Sequence, residues 1–162
     1  MTPSPEQRFE FGESCFSAGE YSWRLKDGEL RYRGTGSFSG LIAGRIPVTV
    51  DQFDRFVAAM NFLDVWGWKH SYQPADTGWM VLDGGRWWFK ASLNGRECET
   101  CGDNAFPGYE DYHMTVLRPE RFSLMVAAFY DTFDITSHIR RSQKSAPSGN
   151  LARLIRRSGE VG

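Results

Sequence analysis

Cys98-Glu99-Thr100-Cys101 is the stretch of this chain whose residue types and spacing most directly suggest chemistry. A C-x-x-C pair can supply half of a zinc site, and Cys15 and His113 are on hand to complete four ligands. The same spacing serves thiol–disulfide exchange. The local context argues against both. The pair follows Asn94-Gly95, a two-residue hairpin signal, so it falls on a strand. Residues three apart on a strand face opposite sides and cannot converge on one ion. Cys98 therefore reads as a small core residue and Cys101 as a surface or edge thiol, with no cofactor. A zinc or redox site at Cys98/Cys101 stands as an alternative. His70, His113 and His138 fall in irregular segments with no visible partner to make a general base. No nucleophile elbow, phosphate loop, H-E-x-x-H or dinucleotide fingerprint is present. The chain thus reads as non-catalytic, an uncharacterised enzyme being the competing class.

The second group of interest is aromatic. Trp79, Val81, Trp88 and Lys90 are expected on one face of a sheet, with Trp66, Trp68 and Tyr72 in a loop nearby. If helices cover only the opposite face, these rings form an exposed patch of the kind that marks binding surfaces. The expected partner is another protein, with a homodimer through the same rings as one form. The third group is cationic: Arg140, Arg141, Arg153, Arg156 and Arg157 lie in the last part of the chain. They make nucleic-acid contact the alternative function, although no aromatics are interleaved with them.

The elements that must position these groups are legible in part. Tyr21, Trp23 and Leu25 alternate with polar residues, and after Asp27-Gly28 the pattern resumes with Leu30 and Tyr32. A two-residue turn pairs Lys26 with Glu29, Leu25 with Leu30 and Trp23 with Tyr32, placing every apolar side chain on one face. Phe9 and Phe11 read as a strand beside this hairpin, and Ile46–Val48 as a short strand after a Gly/Ser-rich loop. Thr49 and Gln52 form a capping box for a helix whose buried stripe is Phe53, Phe56, Val57 and Met60, with a stop at Gly67. A meander of three antiparallel strands follows, from Trp79 to Asp83, Arg86 to Leu93 and Arg96 to Gly102. Its turns pair Asp83 with Arg86, Leu82 with Trp87, Met80 with Phe89, Ala91 with Cys98 and Lys90 with Glu99. A second helix opens near Pro119 and buries Phe122, Met125, Val126 and Phe129.

Three landmarks recur in one order: Asp27-Gly28 and Asn94-Gly95, Gly34 and Gly102, Phe53–Met60 and Phe122–Phe129, at offsets of 67, 68 and 69. The expected architecture is α+β: an antiparallel sheet built from two hairpin-plus-helix repeats, about 21–66 and 78–134, with the helices on one face. Residues 1–136 make one domain, and 137–162 a basic, flexible tail with a short amphipathic helix at 150–157.

Composition sets the outer limits. The 162 residues are 41% hydrophobic, 24% charged and 15% aromatic, which suits one globular domain. Residues 1–134 carry 13 Lys/Arg against 19 Asp/Glu, while residues 135–162 carry six against one. An acidic body of that kind suits an immunity- or inhibitor-type protein facing a basic partner. No signal peptide or membrane span is legible, and three cysteines are an odd number for a disulfide frame. The expected location is cytoplasmic. Trp87/Trp88 on a strand, Asn94-Gly95 at its turn, then Gly102-x-Asn104-x-x-Pro107 resembles a pattern of small uncharacterised bacterial domains, over roughly residues 21–133. That resemblance implies an α+β fold and carries no activity.

Overall fold

A computed structural model describes residues 3–4, 6–42, 44–73, 85–107 and 120–145. The chain is α+β, a mixed seven-stranded sheet with three helices. In chain order the elements are β1 (Arg8–Cys15), β2 (Gly19–Lys26), β3 (Glu29–Gly34), β4 (Arg45–Pro47), α1 (Val50–Phe62), β5 (Ser71–Tyr72), β6 (Gly85–Leu93), β7 (Arg96–Asp103), α2 (Glu120–Thr132) and α3 (Ile135–Ser145). Across the sheet the strands run β4-β3-β2-β1-β6-β7-β5.

Two tight hairpins set the register. Asp27 and Gly28 both take positive φ, 55° and 73°, and so do Asn94 and Gly95, 49° and 76°. That turn matches the right-handed twist of paired strands and favours Asn/Asp-Gly for steric reasons. It pairs Lys26 with Glu29 and Leu25 with Leu30 in one hairpin, Ala91 with Cys98 and Lys90 with Glu99 in the other. Period-two alternation then sends Phe9, Phe11, Trp23, Leu25, Leu30, Trp87, Phe89 and Leu93 to one face, each nearly sealed from solvent.

The helices cover that face. α1 begins at Thr49, whose hydroxyl accepts from the Gln52 amide while Gln52 reaches back to the Thr49 amide. Its buried stripe is Phe53, Phe56, Val57 and Met60. α2 contributes Phe122, Met125 and Phe129. Phe9 meets Phe56 at 4.8 Å and Phe129 at 5.7 Å between ring centroids, so both helices pack on the central strand. The Gln52 side chain also donates to the Thr132 carbonyl at 3.2 Å, joining the start of α1 to the end of α2.

The structure bears on five expectations. The strand of Phe9 and Phe11 does lie beside the first hairpin, and its other edge was not foreseen: β1 is central, paired with β2 on one side and β6 on the other. β6 has β1 and β7 as its two neighbours, and the expected strand from Trp79 to Asp83, with its pairings of Asp83, Leu82 and Met80, lies outside the described residues. The sheet is mixed rather than antiparallel, because β5 runs parallel to β7. Fourth, α1 ends at Phe62, not Gly67. Leu63 caps it, Asp64 turns left-handed at φ 49°, and one 3-10 turn over Val65–Gly67 carries the chain to β5.

Last, the segment from Ser137 does not start out irregular. α3 runs to Ser145, held at its start by Ile135, which is fully buried, and farther along by Ile139 against the core. Apolar residues four apart in a polar helix are enough to bind one side of it to a core. The expected helix at 150–157 lies outside the described residues.

Candidate functional site

The face of the sheet opposite the helices is where the charged residues collect. Alternation brings Arg8, Glu10 and Gly12 of β1 to it, together with Ser22, Arg24 and Lys26 of β2. Trp88 and Lys90 of β6 and Glu97, Glu99 and Cys101 of β7 complete its centre. Trp88 is the large aromatic of this face among the described residues. Its indole lies over Gly12, the residue directly opposite on β1, and a Cβ there would stand 2.2 Å from the ring. Glycine is what lets the ring lie down on the sheet.

The ring is also tied. Trp88 Nε1 donates to Glu10 Oε1 at 3.3 Å, while Glu10 Oε2 accepts from Arg24 Nε at 3.0 Å and Nη2 at 2.5 Å. Beyond Trp88, Lys90 Nζ meets Glu99 Oε1 at 2.5 Å. The Glu99 hydrogen bond and charge hold the Lys90 ammonium above its usual pKa, and Lys90 in turn holds the Glu99 carboxyl below its usual range. Both groups are exposed, so they fix side-chain position and charge pattern rather than stability. A trough of about 680 Å³ crosses this face, walled by Arg24 and Lys26 on one side and Glu97 and Glu99 on the other.

The sequence-predicted binding residues divide. Trp88 and Lys90 are adjacent on the open face. Tyr72 is on the helix side, buried against Trp87 at 6.0 Å, and its hydroxyl accepts from the Lys69 amide. Trp68 packs edge-on to Trp87 at 6.4 Å. Trp66 is half-buried at the end of α1: its Nε1 donates to Asn61, and the Arg96 guanidinium sits 4.9 Å above its ring. These three therefore do not share a surface with Trp88. The reason is local: the 3-10 turn and β5 fold the loop under the sheet beside Trp87. Trp79 and Val81 lie outside the described residues.

The thiols are separated as strand alternation requires. Cys98 faces inward and donates to the Val65 carbonyl at 3.2 Å, and burial pushes its thiol up to about 11. Cys101 faces outward, opposite Trp88, with its Sγ 3.6 Å from the His70 carbonyl. Cys15 is at the far end of β1, and His113 lies outside the described residues. Among the described residues no three His, Cys, Asp or Glu side chains gather as metal ligands would. Of the cationic set, Arg140 and Arg141 are exposed on α3, with Arg141 4.0 Å from Asp134. Arg153, Arg156 and Arg157 lie outside the described residues.

A second cavity, about 300 Å³, opens at the other end of the sheet between Glu13, Tyr21, Phe38, Trp87 and Phe106. The Tyr21 hydroxyl donates to the Glu13 carboxylate there. Beside it, Asn104 of the Gly-x-Asn-x-x-Pro loop clips onto Gly85, accepting from its amide at 2.7 Å and donating to its carbonyl at 2.9 Å. That loop is thus a structural clamp on β6. No described helix is long and apolar enough to cross a membrane. The chain matches no protein-family model and no curated protein.

Sequence reasoning missed Gly12, Glu10 and Arg24 as parts of this face. The signal was present in the alternation of Arg8, Glu10 and Gly12, but it needed β1 to be placed beside β6.

Proposed function

We propose that the protein is a non-catalytic interaction module that receives another protein on its open sheet face, with Trp88 as the anchor. The observation that supports this reading is the seating of Trp88: a large ring held flat on Gly12 and tethered to Glu10, in the middle of a face that no described helix covers. Interface anchors are typically Trp, Tyr and Arg already fixed in their bound geometry, because little side-chain freedom is then lost on binding. Around it, Arg24, Glu10, Lys90 and Glu99 are mutually paired and form a charged surround suited to orienting a partner. An immunity- or inhibitor-type role against a basic protein is the form this takes if the acidic excess of residues 1–134 steers association. In this reading the two hairpin-plus-helix units are repeats that build the platform on either side of β1.

The test compares capture of a partner from the source cells by the wild-type chain and by Trp88→Ala, with Trp66→Ala as a variant away from the face. Loss of the partner with Trp88→Ala alone supports the reading. Equal recovery by all three removes the sheet face. The second reading, nucleic-acid contact, draws on the exposed Arg140, Arg141 and Lys144 of α3. A gel shift abolished by neutralising those three residues would favour it.

A further inference from the structure

The trough on the open face contains a feature that folding alone does not explain. Continuing the register that pairs Phe9 with Leu25, Arg8 of β1 stands opposite Lys26 of β2, and both side chains line the trough. Like charges directly opposite on neighbouring strands destabilise a sheet. Arg31 likewise stands opposite Arg24 and Arg45, but each of those three has an acidic partner: Arg24 with Glu10, Arg45 with Glu29 and Arg31 with Asp27. Neither the Arg8 nor the Lys26 side chain has an ion pair or hydrogen bond among the described residues. Along the same transverse row Arg8 is followed by Ser92 and then Glu97, whose carboxylate accepts from the Ser92 hydroxyl at 3.4 Å. Two and a half strand spacings separate the middle of the Arg8–Lys26 pair from β7, so about 12 Å lies between the cation pair and that carboxylate.

We infer that this row is a two-signed recognition site for a polypeptide segment carrying an acidic side chain about 12 Å from a basic one on the same face. The acidic group sits between Arg8 and Lys26, and the basic group sits at Glu97. The inference rests on the interaction-module reading and names the chemistry of the partner. A single carboxylate facing two cations relieves a repulsion that the free protein carries, so binding gains what folding gave up. Glu97 and Glu99 on the opposite wall make the trough a poor channel for a phosphate backbone, which presents one sign of charge throughout.

The experiment titrates the isotope-labelled full chain at low salt with Ac-Gly-Glu-Gly-Gly-Gly-Lys-Gly-NH2, whose charged residues share one face and stand about 13 Å apart when extended. The corresponding peptides with two Glu or two Lys, and a twelve-nucleotide thymidine oligomer, are the comparisons. The mixed peptide is expected to shift the amides of Arg8, Lys26, Ser92 and Glu97 and to bind at least ten-fold more tightly than either single-sign peptide. The double variant Arg8→Gln/Lys26→Gln, its fold checked by circular dichroism, is expected to lose that ten-fold preference. Equal binding of all three peptides, or tighter binding of the oligonucleotide, overturns the inference. Shifts confined to Gly12, Trp88 and Cys101 overturn it too, but leave the Trp88 platform standing. Loss of partner capture in Trp88→Ala tests that platform separately.

Discussion

A Cβ on Gly12 would stand 2.2 Å from Cζ2 of Trp88, so the site depends on a missing side chain as much as on a present one. Gly12→Ala is expected to lift the indole off the sheet and lengthen its bond to Glu10. The indole N–H resonance of Trp88 should shift and the thermal midpoint should fall by a few degrees, with the sheet otherwise intact. An unchanged indole resonance would contradict that seating. Cys98 supplies a second residue-scale prediction. Its thiol pKa is raised to about 11 from an ordinary 9.0, chiefly by burial. The folded chain therefore keeps a proton that the unfolded chain releases, and this contribution to stability is intact below pH 9 and is lost as pH rises towards 11. Alkylation at pH 8 should consume the exposed Cys15 first and Cys98 last; prompt reaction at Cys98 would count against its burial. The sequence placed Cys98 and Cys101 on opposite faces correctly, because alternation along one strand needs no knowledge of its neighbours.

Elements were legible wherever a local signal set both ends. The Asp27-Gly28 and Asn94-Gly95 turns each fix a register by themselves, and the Thr49/Gln52 box fixes the start of α1. Thr49→Ala should cost about 1 kcal/mol, the usual value for a lost N-cap, read as a lower urea midpoint at unchanged slope. Gln52→Ala should cost more than Thr49→Ala, because Gln52 also holds the Thr132 carbonyl across to α2. Equal losses would show that this link adds nothing. Where the signal was not local the reading stayed incomplete: the strand of Phe9 and Phe11 was placed beside the first hairpin but not against β6. The place of β1 is set by which hairpin edges accept Phe9 and Phe11 under Phe56, Phe122 and Phe129, a matter of long-range packing. The two residues of β5 join β7 because Thr100 donates to the Lys69 carbonyl at 2.7 Å and the Cys101 amide to the His70 carbonyl at 3.0 Å. Neither contact leaves a periodic trace in the chain.

For the whole molecule, one layer of helices on one face of a seven-stranded sheet makes the two sides chemically unlike. One side holds Trp23, Trp87 and the phenylalanines, and the other holds the charge rows around Trp88. The short outer strands, three residues in β4 and two in β5, give little edge for strand-on-strand pairing, which is why the proposed function places a partner on the broad face. The side of the sheet that alternation assigns to Trp88 and Lys90 was thus legible in the sequence, but the place of Trp66, Trp68 and Tyr72 was not. Trp66, Trp68 and Tyr72 turn under the sheet because the chain from α1 to β5 passes beneath β7. The most direct test of the account is a hydrogen-exchange footprint of the protein bound to its captured partner. It should show protection of β1, β6 and β7 around Gly12, Trp88 and Cys101, with the exposed ends of α1 and α2 near Phe62 and Leu124 unchanged. Protection at Phe62 and Leu124 with the Trp88 strands exchanging as in the free protein would contradict it.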